Sequence, residues 1–134
     1  MREYPLLINN RRVNTNDNFS LKNPYSGEVL AYVSRASIPE ADLAVKEAHA
    51  AFAVSRFQPA HERAALLKKT ATLITEHGEG LAEIIALEAG KPIKTARAEV
   101  ARAAMVFQIA AEESLRINGE VLPLDIAPDA GNRI

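Results

Sequence analysis

The sequence predicts a mainly α-helical fold with a few short β-strands. Two observations carry that reading. The apolar period changes from 2 to about 3.6 near residue 37. The middle of the chain is also crowded with alanine, the residue of best helix propensity. Segment 1–36 therefore reads as strands and turns, 37–118 as four helices, and 119–134 as the start of a strand or hairpin. The whole is taken as a single unit.

Each early element has a local cause. Leu6-Leu7-Ile8 is an apolar run followed by Asn9-Asn10. Asn tolerates positive φ, so the pair suits a tight turn into Arg11-Arg12-Val13. Asn14-Thr15-Asn16-Asp17-Asn18 is a polar loop, and Phe19-Ser20-Leu21 alternates as a strand does. Asn23-Pro24-Tyr25-Ser26-Gly27 is a turn, with Pro presetting φ and Gly accepting a positive one. Val29–Val33 reads as the next strand.

The helices follow from stripes and stop signals. Ser37 and Glu40 have capping-box spacing, Pro39 falls in the first turn, and Ala41, Ala44, Val45, Ala48 and Phe52 form one stripe. That places a helix near 38–54. Pro59 opens a second helix, closed by Gly78, with stripe Ala64, Leu67, Ala71 and Ile74. A third runs from about Glu79 to Ala89 with Leu81, Ile84 and Ile85 inward, and Gly90 then Pro92 stop it. The fourth spans about 93–118, with Ala96, Val100, Ala103, Phe107, Ala110 and Ala111 in line and Gly119 ending it. Val121-Leu122-Pro123-Leu124 looks like a strand start, and two readings fit it equally: a frayed tail, or a segment cut before the partner strand that such an edge expects.

Composition narrows the function classes. With 134 residues and 48% hydrophobic content, the chain can bury a core. Its formal net charge is −1, with basic and acidic residues mixed, so nucleic acid is not an expected partner. No run approaches the roughly 18 to 20 apolar residues of a membrane span. Neither a membrane partner nor a signal peptide is expected, and a cytoplasmic protein is the default. There is no cysteine, so no residue here can supply a thiolate nucleophile or a thiolate metal ligand.

Searches for chemistry yield little. The six glycines are scattered, without a phosphate-cradling loop. His49, His61 and His77 lie too far apart for metal-ligand spacing and read as surface or capping residues. Adjacent Glu112 and Glu113 point in different directions on a helix and read as solvated. Glu88 ends a helix beside the negative end of its dipole, which suggests a partner: Lys91 or a cation. Glu99 with Arg102 three residues on reads as an exposed helical ion pair.

The order of short motifs resembles the start of the NAD(P)-dependent aldehyde dehydrogenases. Asn23-Pro24-Tyr25-Ser26-Gly27-Glu28 is similar to their N-P-x-T/S-G-E turn. Ala44–Phe52 resembles their A-V-x-A-A-x-x-A-F helix, and Arg63–Leu67 the R-x-x-x-L segment after it. Glu88-Ala89-Gly90-Lys91-Pro92 resembles E-x-G-K-P, Glu99-Val100 the following E-V, and Gly119–Pro123 the G-x-x-x-P before the oligomerisation hairpin. The wording around Gly90 and Glu99 is most similar to the lactaldehyde and non-phosphorylating glyceraldehyde-3-phosphate branch.

The resemblance implies a fold and a mechanism. The fold would be partial α/β, the N-terminal portion of the aldehyde dehydrogenase fold. In the family, a cysteine thiolate attacks the aldehyde, hydride passes to NAD or NADP, and a glutamate-activated water releases the acid from the thioester. The residues for those steps lie beyond the matched motifs, so no catalytic or cofactor-binding residue is expected here, and no bound cofactor. Glu99, Ala103 and Val106 are implied to lie at the substrate-tunnel mouth. Glu88, with backbone of the Leu21–Lys22 region, is implied to serve a monovalent cation site. The expected partners are the rest of the dehydrogenase chain and further copies, because an isolated segment would expose surfaces that drive association. The alternative is a self-standing helical interaction module from a truncated dehydrogenase gene.

Overall fold

A computed structural model describes residues 2–120 and 122. Nine elements follow in order: β1 (Arg2–Tyr4), β2 (Leu6–Ile8), β3 (Arg11–Val13), β4 (Asn18–Lys22), β5 (Val29–Ser34), α1 (Ile38–Ser55), α2 (Ala60–Glu76), α3 (Gly78–Ala89) and α4 (Ile93–Ser114). The fold is mainly helical with short strands, as the periods require.

The turns form where their residues allow. Asn9 and Asn10 adopt φ of 47° and 58°, and β2 and β3 pair antiparallel across them. The Asn23 side chain nucleates the β4–β5 turn: its Oδ1 accepts from Tyr25 N–H at 2.8 Å and Ser26 N–H at 3.2 Å. Gly27 closes that turn at φ 73°. β4 and β5 pair antiparallel, with a register shift between Leu21 and Lys22 that leaves Lys22 opposite Val29. β1 was not foreseen. It adds parallel to β5, giving the order β1-β5-β4, and its residues Arg2, Glu3 and Tyr4 are all exposed. So polar an edge carries no hydrophobic alternation to read.

The core is built from small residues. Ala82 and Ala96 are 0% exposed, and they cluster with Val100 against Ile74, Ile85 and Ala86. Ala64, Ala71, Ala104 and Ala111 extend this line along α2 and α4. Small side chains let helix backbones approach closely, which multiplies dispersion contacts in the interface. No large side chain is fully buried among the described residues.

The structure corrects several boundaries and faces. α3 turns Ala82, Ile85 and Ala86 inward, while Leu81 and Ile84 stay at its exposed flank. Only a methyl fits at the closest point to α4, so the larger residues are displaced sideways. Gly78 opens α3 rather than merely closing α2. α4 ends at Ser114, not 118, and Gly119 does not terminate it. Its last turn tightens: Leu115 N–H donates to Glu112 O and Arg116 N–H to Glu113 O, while the Ser114 hydroxyl donates to Ala111 O at 2.8 Å. The buried line of α4 is Ala96, Val100, Ala104, Ala111 and Ser114, with Ala103, Phe107 and Ala110 half-buried beside it.

α1 departs most from expectation. Its boundaries and Ser37–Glu40 box form as read, yet none of its residues is buried. Val45 is 71% and Phe52 57% exposed. The stripe exists but nothing in the described residues covers it. Among the contacts of α1 is a 2.6 Å hydrogen bond from Asn9 Nδ2 to Glu47. The predicted strand start at Val121–Leu124 lies outside the described residues except for Leu122, which is exposed and not in a strand.

Gly90 joins the two halves. It sits at φ 64°, and a Cβ there would meet Pro24 Cγ at 2.9 Å. Gly27 has φ 73° but open space around it. Gly90→Ala is expected to destabilise by about 2–3 kcal/mol, from left-handed strain plus the clash, against about 1 kcal/mol for Gly27→Ala. Urea unfolding of the two variants beside the parent protein measures the difference.

Candidate functional site

Residues Glu99, Ala103 and Val106 lie at i, i+4 and i+7 on α4, one face of the helix. All three line one groove of about 530 Å³. Ile74 of α2 and Leu81 and Ile85 of α3 form its other walls, with Val100, Arg102 and Phe107 also from α4. The alanine contact beneath sets the groove's depth: methyls hold the helices close, and the bulkier neighbours stand up on either side.

The ion pairs differ from the sequence expectation. Lys91 Nζ donates to Glu99 Oε1 at 2.7 Å, so Glu99 is held across the Gly90 turn rather than by Arg102. By the same contact Lys91 is engaged with Glu99 and not with Glu88. Spacing along one helix missed this, because the turn folds Lys91 back over the first turns of α4. The Lys91 hydrogen bond holds the Glu99 carboxyl below its ordinary 4.5; desolvation opposes it, and the charges of Lys91 and Arg102 add to the lowering. Arg97 and Glu79, another pair that sequence reading overlooked, form a forked bridge between α4 and α3, with contacts of 2.6, 2.9 and 3.2 Å.

Glu88 lines a separate cavity of about 420 Å³ with Arg2, Tyr4, Leu21, Val29 and Ile84 among others. Leu21 and Glu88 thus share a cavity, whereas Lys22 is not among its lining residues. The β4–β5 register shift falls at Leu21/Lys22, where a bulge frees backbone groups from the ladder. As a cation site the donor set fits in part: a carboxylate and strand carbonyls are hard oxygen donors, but the cationic Arg2 shares the space. Among the described residues no group of three or more His, Cys, Asp or Glu is placed to hold a metal. Gly78 and Gly80 lie in α3 and Gly27 and Gly90 in turns. They form no strand-to-helix glycine loop of the kind that fits a dinucleotide pyrophosphate. Among the described residues no helix is long and apolar enough to cross a membrane.

Residues 12–133 match the aldehyde dehydrogenase family, and the chain belongs to that family. It is 37% identical to the 3-sulfolactaldehyde dehydrogenase of Priestia aryabhattai, over all of this chain and 28% of that protein. Aldehyde dehydrogenase 21 of Physcomitrella patens, solved in complex with the reaction product succinate, superimposes with a TM-score of 0.91 at 36% identity. That match covers 96% of this chain and 27% of the other. The NADP-dependent glyceraldehyde-3-phosphate dehydrogenase of Bacillus halodurans, complexed with NADP, gives a TM-score of 0.89 at 35% identity, covering 93% and 27%. The chain therefore spans about a quarter of the length of these relatives.

The lowered Glu99 pKa fixes the sign of a pH effect. A depressed carboxylate contributes stability above its unfolded pKa and loses it as pH falls through the folded value. The parent protein is expected to lose this contribution below about pH 4.5. Glu99→Gln should be less stable at neutral pH and show a flatter acid limb in thermal melts taken between pH 7 and pH 3.

Proposed function

We propose that these residues form the N-terminal part of an enzyme that oxidises an aldehyde to a carboxylic acid with NAD(P)+, and that the 134-residue chain alone is inactive. One observation carries the reading: the family match runs through nearly the whole chain, yet the sequence contains no cysteine. The thiolate that would attack the aldehyde must then come from other residues. NAD or NADP, when bound to the whole enzyme, accepts the hydride. The role of this segment is to brace that enzyme and to supply the α4 wall of its substrate tunnel. The shared groove of Glu99, Ala103 and Val106 supports this role. The cavity shared by Glu88 and Leu21 supports a contribution to a monovalent cation site, with Lys22 giving only backbone.

The uncovered α1 stripe favours this reading over a self-standing helical module. A self-sufficient bundle would bury Val45 and Phe52, and both are exposed. Exposed apolar surface of this extent expects a partner, here the remainder of the enzyme, with further copies completing an oligomer.

Purified 134-residue chain, given an aldehyde and NAD(P)+, is expected to form no NAD(P)H above background. Clear turnover would overturn the inactivity. Light scattering on the same sample should show association as concentration rises, since none of the described residues covers the α1 face; a clean monomer throughout would count against the bracing role.

A further inference from the structure

We propose that Asn118 is a site of spontaneous deamidation, where the chain converts its own asparagine to aspartate and isoaspartate just beyond α4. This chemistry needs no partner and is independent of the dehydrogenase reading.

Asn118-Gly119 is the one Asn-Gly pair in the sequence. In deamidation the backbone nitrogen of the following residue is the nucleophile. Glycine has no side chain to screen that nitrogen or to restrict the backbone angles the attack needs. The surroundings leave the pair free to react. α4 ends at Ser114, and residues 116–120 belong to no helix or strand. Asn118 and Gly119 are both exposed, and a Cβ on Gly119 would meet nothing within 4 Å. Among the described residues, neither the Asn118 side chain nor the Gly119 N–H is held by a hydrogen bond.

The other described asparagines each lack part of this setting. Asn23 precedes Pro24, which has no N–H to lose, and its Oδ1 already accepts from two amides. Asn18 lies in β4 and accepts from Ser34 Oγ at 3.0 Å, while Asn9 donates to Glu47 at 2.6 Å. Asn10, Asn14 and Asn16 are followed by Arg11, Thr15 and Asp17, whose side chains crowd the attacking nitrogen.

The steps balance with water as the sole co-reactant. The Gly119 nitrogen loses its proton and bonds to Asn118 Cγ. The Cγ–Nδ2 bond breaks, ammonia leaves, and a cyclic succinimide remains. Water then opens either carbonyl of the ring, giving aspartate or isoaspartate. Both products add a negative charge to a chain of formal net charge −1. Isoaspartate also inserts a methylene into the main chain where it leaves α4.

The test ages the full 134-residue chain at neutral pH and physiological temperature, folded and, in parallel, unfolded in urea. Tryptic peptides are then read by tandem mass spectrometry, which separates residue 118 from Asn132 on the same peptide. A gain of about 1 Da is expected at residue 118, with isoaspartate the more abundant product. The folded rate should lie within about twofold of the unfolded rate, because exposed backbone of this kind opens at almost no cost. Gly119→Ala, whose methyl has open space, should slow the loss about tenfold or more. An Asn118 amide that survives in the folded chain but is lost in urea would overturn the proposal, because the exit from α4 would then be protected. Survival in both samples, or an equally fast loss at any other asparagine, would overturn it too.

Discussion

Close packing of α4 on α2 and α3 through alanine is the constraint on which the rest of the structure depends. Ala82, Ala96 and Ala111 have no exposed surface, and Ala71 is nearly as enclosed. An alanine interface gains little from any one side chain. Its strength comes from backbone proximity and from alanine's low entropic cost in a helix. The same interface has little room for error, because an added methylene has nowhere to go without moving a helix. The close approach also has a consequence for the site. With methyls at the seam, Ile74, Leu81, Ile85, Val106 and Phe107 are left to form walls, and a groove results.

Charge is distributed around that seam with a clear division of labour. The Arg97–Glu79 fork bridges α4 and α3, and the Lys91–Glu99 pair bridges the Gly90 turn and α4. Exposed pairs of this kind add little to stability. Their effect is geometric: they fix which carboxylates carry a cationic partner. Of the two charged residues that line the groove, Glu99 is paired with Lys91, and Arg102 forms no ion pair among the described residues.

The α1 helix shows that forming an apolar stripe and covering it are separate matters. Its stripe of Ala41, Ala44, Val45, Ala48 and Phe52 is as regular as those of α2 and α4, and its capping box forms. Regularity made the helix legible, but periodicity states only that a face will be covered, not by what. The inward face of α3 was misjudged for a related reason. Hydrophobicity ranks Leu81 and Ile84 above Ala82, whereas the distance between two helix axes ranks them the other way. The end of α4 was misplaced because a glycine five residues beyond Ser114 is a strong stop signal, while the tightened turn at Glu112–Arg116 leaves no mark in composition. Strand β1 was invisible because its partner, β5, is distant in sequence and its own residues are polar.

The sequence by itself determined whatever depends on neighbours along the chain. It set the hairpin at Asn9-Asn10, the turn around Asn23 and Gly27, the stop at Gly90, the four helices and, through its motif order, the family. Each is governed by local backbone energetics or by a pattern of fixed spacing. Tertiary structure alone decided which faces meet and which charges pair. It brought Glu99, Ala103 and Val106 to one groove, gave Glu99 to Lys91 and, among the described residues, left Arg102 without an ion pair. Those outcomes depend on the separation and rotation of whole helices, quantities that no local stretch of residues encodes.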